Sequence, residues 1–231
     1  MAILTYTAAS TAFVAKVRNN RVFLIGGGGS SGAATGTTTN SGAAAGGASA
    51  LSQLALTPGT IYTVAVGQAV AGSTTTTNLA GQDTTFASTT VVAKGGTGTA
   101  LNSTGTNTGS PASGSTTGCV GDVKWAGGNG GAGTAAGATQ AGGGGGAAGW
   151  TAVGGNASGT NGVTGGTANS PGGNGANGAT SGPGTAGTAP GGGGGGARAN
   201  NNTDRAGSGS SRGQAWIDWI PPCSMMLLGV G

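Results

Sequence analysis

The chain holds 231 residues, with 57 glycines, 7 prolines and only 12 formally charged side chains, for a net charge of +4. Leu, Ile, Val and Phe together number 30, too few for the oily core of an ordinary domain of this length. So little charge also separates the chain from disordered sequences, which combine weak hydrophobicity with strong self-repulsion.

From the start to about residue 94 the sequence reads as four or five short strands. "ILTYTAAS" and "AFVAKVRNNRVFLIGGGG" alternate apolar and polar residues, the second through Phe13, Ala15, Val17 and then Val22 and Leu24. Asn19 and Asn20 suit a hairpin turn or bulge, since Asn tolerates positive φ. In "LALTPGTIYTVAVG" the Pro58-Gly59 pair predicts a turn and residues 61–66 a strand, with Tyr62 in the core. "TTFASTTVVAKGG" predicts one more strand, carrying Phe86, Val91 and Val92. The opening residues lack the pattern of a secretory signal, and no run reaches the ~20 apolar residues of a membrane-spanning helix.

Residues 95–213 show almost no strand or helix signal. No charge falls between Lys124 and Arg198, and glycine recurs at threes in short bursts: 127, 130, 133, then 143, 146, 149, then 159, 162, 165, then 172, 175, 178. Three residues per turn is the period of polyproline II, and glycine at every third position leaves one face without side chains. Such faces let neighbouring rods come close enough for backbone N–H, C=O and Cα–H groups to bond between them. "PGGGGGGA" at 190–197 suits the centre of a bundle of such rods. Collagen is excluded by the broken triplets and sparse proline, and a silk-like or disordered linker is the plainer alternative. "RGQAWIDWIPPCSMMLLGVG" then returns to strand character, closing against the first sheet and ending at Pro221-Pro222.

Chemistry-bearing constellations are sparse. Without His or Glu there is no Ser-His-Asp triad and no Glu-based acid–base pair, and Asp83, Asp122, Asp204 and Asp218 are scattered. Cys119 and Cys223 form no CxxC, which rules out the usual zinc spacings and leaves either one disulfide or two free thiols. "GGNGANG" at 172–178 matches G-x-G-x-x-G but follows no strand and opens no helix. No catalytic residue, cofactor or metal is expected. Lys16, Arg18 and Arg21 cluster near the start, and Arg198, Arg205 and Arg212 near the end. The second group is a candidate for contacting anionic sugars or nucleic acid, with solvated loop cations the favoured plain reading. Trp125 and Trp150 border Gly/Ala bursts. At loop tips they would stack on a sugar or fill a receptor hot spot; the favoured reading locks the bundle to the sheet or to another subunit. Trp216, Trp219 and the apolar Met225, Met226, Leu227 and Leu228 are candidate assembly contacts.

Three elements in order carry a family resemblance: "NNRVFLIGGGG", "TPGTIYTVAVG" and "TTVVAKGG", with "SRGQAWIDWI" closing after the tract. They resemble the glycine-rich domain of bacteriophage tail fibres and tip adhesins. The resemblance implies a mainly β fold without a notable α-helix. A small β-sheet platform would be joined to a layered bundle of polyproline II helices, whose distal loops in the T-even-like adhesins contact the host outer membrane. The expected division is a platform over 1–94, the polyproline II array over 95–213, and a closing strand with apolar tail over 214–231, all one structural unit. Two departures from the family pattern are a start almost at the first strand, without a fibre-attachment segment, and a tract richer in Ala and Thr. The resemblance implies a non-enzymatic virion protein on the particle surface. Its partners would be fibre, tail or capsid proteins, a host surface protein or glycan, and further copies of itself, as a trimer by family analogy, with no nucleic acid. Capsid or tail decoration is the structural alternative, and an ice-binding bundle, suggested by "STTTTN" at 73–78, a minor one.

Overall fold

The computed structural model describes residues 3–72, 74, 79–101, 113–133, 140–158 and 164–219. Among these residues the regular elements are all strands. One five-stranded antiparallel sheet has the order β1 (Ile3–Tyr6), β11 (Gln214–Trp219), β3 (Asn19–Ile25), β5 (Ser49–Ala55), β9 (Val123–Trp125). A four-stranded sheet runs β2 (Thr11–Val14), β6 (Ile61–Ala65), β7 (Thr84–Phe86), β8 (Val91–Ala93). A two-stranded ribbon pairs β4 (Thr38–Asn40) with β10 (Arg198–Asn200).

The alternation seen in the sequence places Val22, Leu24, Ala50, Ala215 and Ile217 on one face of the larger sheet. They pack against Phe13, Val64, Phe86, Val91 and Ala93 of the smaller sheet, making the oily core of a sandwich. Phe86 meets Phe13 edge-on, with ring centres 6.0 Å apart, and stacks on half-buried Tyr62 at 5.5 Å. The expected closing strand is β11, which pairs with both β1 and β3.

Three local expectations are corrected. Asn19 and Asn20 are not a turn: they begin β3, opposite Ala55 and Leu54. The Asn20 side chain donates back to the Val17 and Arg18 carbonyls at 2.8 and 3.2 Å, so it ties down the preceding bend. The single strand expected at 84–96 is a hairpin of β7 and β8, turned by Ala87 and Ser88 at φ 46° and 61°. Lys94 Nζ and the Gly95 N–H both bond the Asp83 carboxylate and close the hairpin's base. Residues 95–213, expected to lack strands, contain β9 and β10.

Beyond the sandwich the strands run straight on into rods. The N–H groups of Gly26 and Gly29 bond the carbonyls of Ala48 and Ala45; those of Gly27 and Ser30 bond Gln82 and Leu79; those of Gly28 and Ala34 bond Ser211 and Arg205. Each set steps by threes, antiparallel to a different neighbour, which is the bonding of a three-residue helix packed among like helices. Residues 41–48 repeat the pattern, donating from Ser41, Ala44 and Gly47 to Ala197, Gly194 and Gly191, and from Ala43 and Gly46 to Gly131 and Gly128. At about 3.1 Å per residue, the rod at 26–34 is ~28 Å long.

The glycine bursts have a direct reading here. A Cβ on Gly127, Gly130 or Gly133 would fall well under 3.0 Å from the carbonyl oxygen of Gly46, Ala43 or Asn40, three residues apart on the facing rod. Each glycine thus turns its Cα–H toward a carbonyl, a weak bond that recurs once per turn. The six glycines at 191–196 are all buried. Their N–H groups reach Arg212, Thr188, Gly145, Gly29, Thr185 and Gly142, so the run sits among several rods with no room for side chains. The array also takes in residues 26–34, 41–48 and 67–72, so the first 94 residues supply rods as well as strands.

Where the array reaches solvent, asparagines replace a missing neighbour. The side-chain carbonyls of Asn129, Asn156, Asn174 and Asn177 accept the N–H groups of Gly114, Asn129, Ala168 and Gly165 at 2.7 to 2.8 Å. Asn174→Ala together with Asn177→Ala is expected to cost about 1–2 kcal/mol, since both freed donors are partly wetted. The denaturant midpoint should fall without loss of cooperativity.

Cys119 is a free, buried thiol that accepts the Lys94 N–H at 3.4 Å. Burial pushes its pKa above the ordinary value, so at mildly alkaline pH the reactive thiolate is scarce. Cys119 should therefore resist iodoacetamide in the folded chain and react quickly in denaturant, as peptide mass mapping can read.

Candidate recognition face at the distal end

The rods have two unlike ends. At the platform end the described connections are tight: Gly149 N–H bonds Ala152 across one turn, and Gly172 N–H bonds Asn169 across another. At the other end, some 25 Å away by rod length, residues 35–40, 180–184 and 198–206 come together. There β4 and β10 pair, Gly182 exchanges bonds with Arg198 at 2.9 and 3.1 Å, and Ala34 does so with Arg205 at 2.8 and 3.0 Å. Asn201 and Asn202 turn the chain at φ 53° and 56°, a conformation Asn accepts more readily than most residues.

Side chains pin this tip. Asp204 Oδ1 accepts the Gly36 N–H at 3.1 Å, Thr37 Oγ1 donates to Asn202 Oδ1 at 2.8 Å, and an Arg198 guanidinium N–H donates to the Thr180 carbonyl at 2.7 Å. Thr37, Thr38, Thr180, Ser181, Asn201, Asn202, Thr203 and Asp204 are exposed. The surface is a field of hydroxyls and amides on a braced backbone, with two cations and one carboxylate. That chemistry suits hydrogen bonding to a polar surface. Among the described residues no group of three His, Cys, Asp or Glu could hold a metal ion.

The sequence-predicted site residues fall into two places. Arg198 and Arg205 belong to the distal tip, but Arg212 lies about 22 Å back along its rod at the platform. Neither Trp125 nor Trp150 is at a distal loop tip. Trp125 stands in edge strand β9 opposite Ser49. Trp150 stacks on Phe23 at 4.8 Å, with Trp216 6.4 Å away and the Arg21 guanidinium 5.5 Å from its ring. Arg21 in turn forms a two-bond ion pair with buried Asp218, at 2.5 and 3.2 Å. The favoured reading of Trp150, a lock between bundle and sheet, describes this geometry. Trp216 is part of that lock, and Trp219 lies 5.9 Å under Lys16 Nζ. Met225, Met226, Leu227 and Leu228 lie outside the described residues.

The nine aromatic residues of the chain all sit in or against the platform, so the distal end has none. Sugar stacking is therefore unavailable there, and recognition would rest on hydrogen bonds and the two arginines. Sequence reasoning missed the β4–β10 ribbon. Its signal was the pair "TGTTTN" and "RANNNTDR", two turn-forming segments 160 residues apart with no shared pattern to link them. A cleft of about 520 Å³ lies at the junction of platform and array, lined by Gln82, Asp83, Lys94, Thr97, Ser115 and Thr117. Its polar groups are largely spent: Asp83 on Lys94 and Gly95, Gln82 on the Gln68 N–H, and Thr97 on the Ser113 carbonyl.

A family model described as a glycine-rich domain matches the chain over residues 5–220. The chain belongs to the glycine-rich domain family. The match spans from within β1 to just past β11, so this glycine-rich domain includes both the sandwich and the array. No curated protein matches the chain.

Proposed function

We propose that this glycine-rich domain is a non-enzymatic bacteriophage virion protein of the tail-fibre or tip-adhesin type. Its platform is held in the particle, and its distal loops face the host surface. The observation that carries the reading is the polarity of the molecule: both sheets of the sandwich and every aromatic residue lie at one end, and the short β4–β10 ribbon with its polar, aromatic-free turns lies at the other. A scaffold that holds loops on rigid supports is the usual way to build a recognition surface. The order of its strand and glycine motifs, similar to the phage adhesin domain, supports the virion setting.

One observation favours capsid or tail decoration instead. A tip without aromatics lacks the side chains that most often dominate tight binding sites. Quantitative mass spectrometry of purified virions separates the two. Few copies per particle, with binding of the purified protein to host envelope that Arg198→Gln weakens, is the result expected of an adhesin. Copies on the order of hundreds, with no envelope binding, would establish the decoration role and overturn host contact.

A further inference from the structure

We propose that the open side of the platform receives the apolar C-terminal segment of a second copy of this chain. The inference is independent of what the distal end contacts. Strands β1 and β2 are consecutive in the chain, and each ends its own sheet, so among the described residues one side of the sandwich presents two unpaired edges. An edge strand offers a row of free N–H and C=O groups, which chains ordinarily protect with charge, proline, bulges or cover.

The sandwich's two opposite edges, β8 and β9, have such protection. On β8, Val92 exchanges bonds with Val120 at 2.9 and 3.0 Å, which covers that edge. The β9 edge is three residues long with Lys124 at its centre, and asparagine side chains close the array. β1, reading Ile-Leu-Thr-Tyr, has no charge, proline or glycine. Ile3, Leu4, Val14 and Ile61 are 50, 37, 48 and 67 % exposed, and they lie on β1, on β2 and on β6 beside β2. Leu4 pairs with Ile217 of the core, so its exposure marks the open mouth of the sandwich.

The occupant is argued from the chain itself. Residues 223–231, "CSMMLLGVG", are uncharged and mostly apolar, and follow β11, the strand next to β1. Extended at about 3.3 Å per residue, they span ~30 Å, more than enough to line a four-residue edge. Between β11 and this segment the sequence reads Ile-Pro-Pro, which disfavours an immediate reversal toward the same chain's β1: residues before proline are driven to extended conformations, and Pro-Pro favours polyproline II. A neighbouring copy is the occupant that this stiff connection favours. Added as a strand, it would satisfy the β1 edge through main-chain bonds, as in strand-addition complexes. Alternation would set Met225 and Leu227 on one face and Met226 and Leu228 on the other. Passed from copy to copy, the exchange closes a ring where the rotation between copies closes, and otherwise runs on as a filament.

The test uses the full-length chain, a chain ending at Trp219, and Leu4→Lys, sized by sedimentation velocity. The full-length chain should be oligomeric, and each altered chain should run alone as a single chain near 20 kDa. Mixed together, the two should form a complex, because the intact segment of one fits the intact edge of the other. A synthetic peptide of residues 221–231 should bind the chain ending at Trp219 and dissociate the full-length oligomer. A monomeric full-length chain, an oligomer that survives loss of the segment, or a peptide that fails to bind the shortened chain would each overturn the proposal. The peptide arm decides the matter if Leu4→Lys does not fold.

Discussion

Gly193→Val is expected to abolish folding, and Gly193→Ala to come close. Gly193 is buried in the middle of the six-glycine run, donating its N–H to Gly145 while its carbonyl accepts from Ala176. A Cβ at this position would meet the Ala44 carbonyl oxygen and the carbonyl of Ala45, all at less than 3.0 Å. Those obstacles are backbone, and they cannot step aside cheaply. The Ala44 carbonyl is already bonded by Gly145, and the Ala45 carbonyl by Gly29, so any shift is passed on to two more rods. Ordinary overpacking costs about 1–3 kcal/mol. Alanine should reach at least the top of that range and valine exceed it, against a total stability of only ~5–15 kcal/mol. Soluble yield and the cooperativity of thermal unfolding are the readouts. Thr63→Val, the same side chain placed on an exposed strand position, should leave both unchanged. Normal folding of Gly193→Val would mean that the glycine run is not packed among rods.

Phe23→Ala should produce the second largest loss, about 3–5 kcal/mol for a buried aromatic. Phe23 is 2 % exposed on the face of the larger sheet that looks away from the sandwich core. It stacks on Trp150 and lies 5.4 Å from Trp216, and Ala147 of the adjoining rod completes the cluster. The cavity would open where the rods rest on the sheet. Chemical denaturation should show a lowered midpoint, and the emission of Trp150 and Trp216 should shift to the red before unfolding. An unchanged tryptophan signal would place the coupling between array and platform elsewhere.

Much of the fold was legible because it rests on short-range patterns. Alternation located β3 and β6, Gly59 marked its turn, and glycines spaced by three announced rods whose Cα–H groups face carbonyls. β5 was less legible because Ser-Ala-Leu-Ser-Gln-Leu-Ala has weak strand preference, and its neighbours in the sheet decide its conformation. The position of Trp150 could not be read locally. A tryptophan after a glycine burst looks the same whether the burst ends at the platform or at the tip, and only the direction of the rod decides. The same holds for Arg212, which shares a run of sequence with Arg205 but sits at the opposite end of it. Pairings such as Arg21 with Asp218 and Thr38 with Asn200 join residues far apart in the chain, where no spacing rule applies.

The continuity of strand and rod has a mechanical consequence. β3, β6, β8 and β9 each lead into a rod, and rods lead into β5 and β11, so every such strand and its rod share one unbroken backbone. A pull on the tip, resisted at the platform, travels along the rods, while the bonds that join them lie across the pull. Those bonds are loaded in shear and must give way together, whereas a hairpin pulled apart from its open end yields one bond at a time. The molecule is built to bear tension lengthwise, in a chain that has almost no side chains with which to grip.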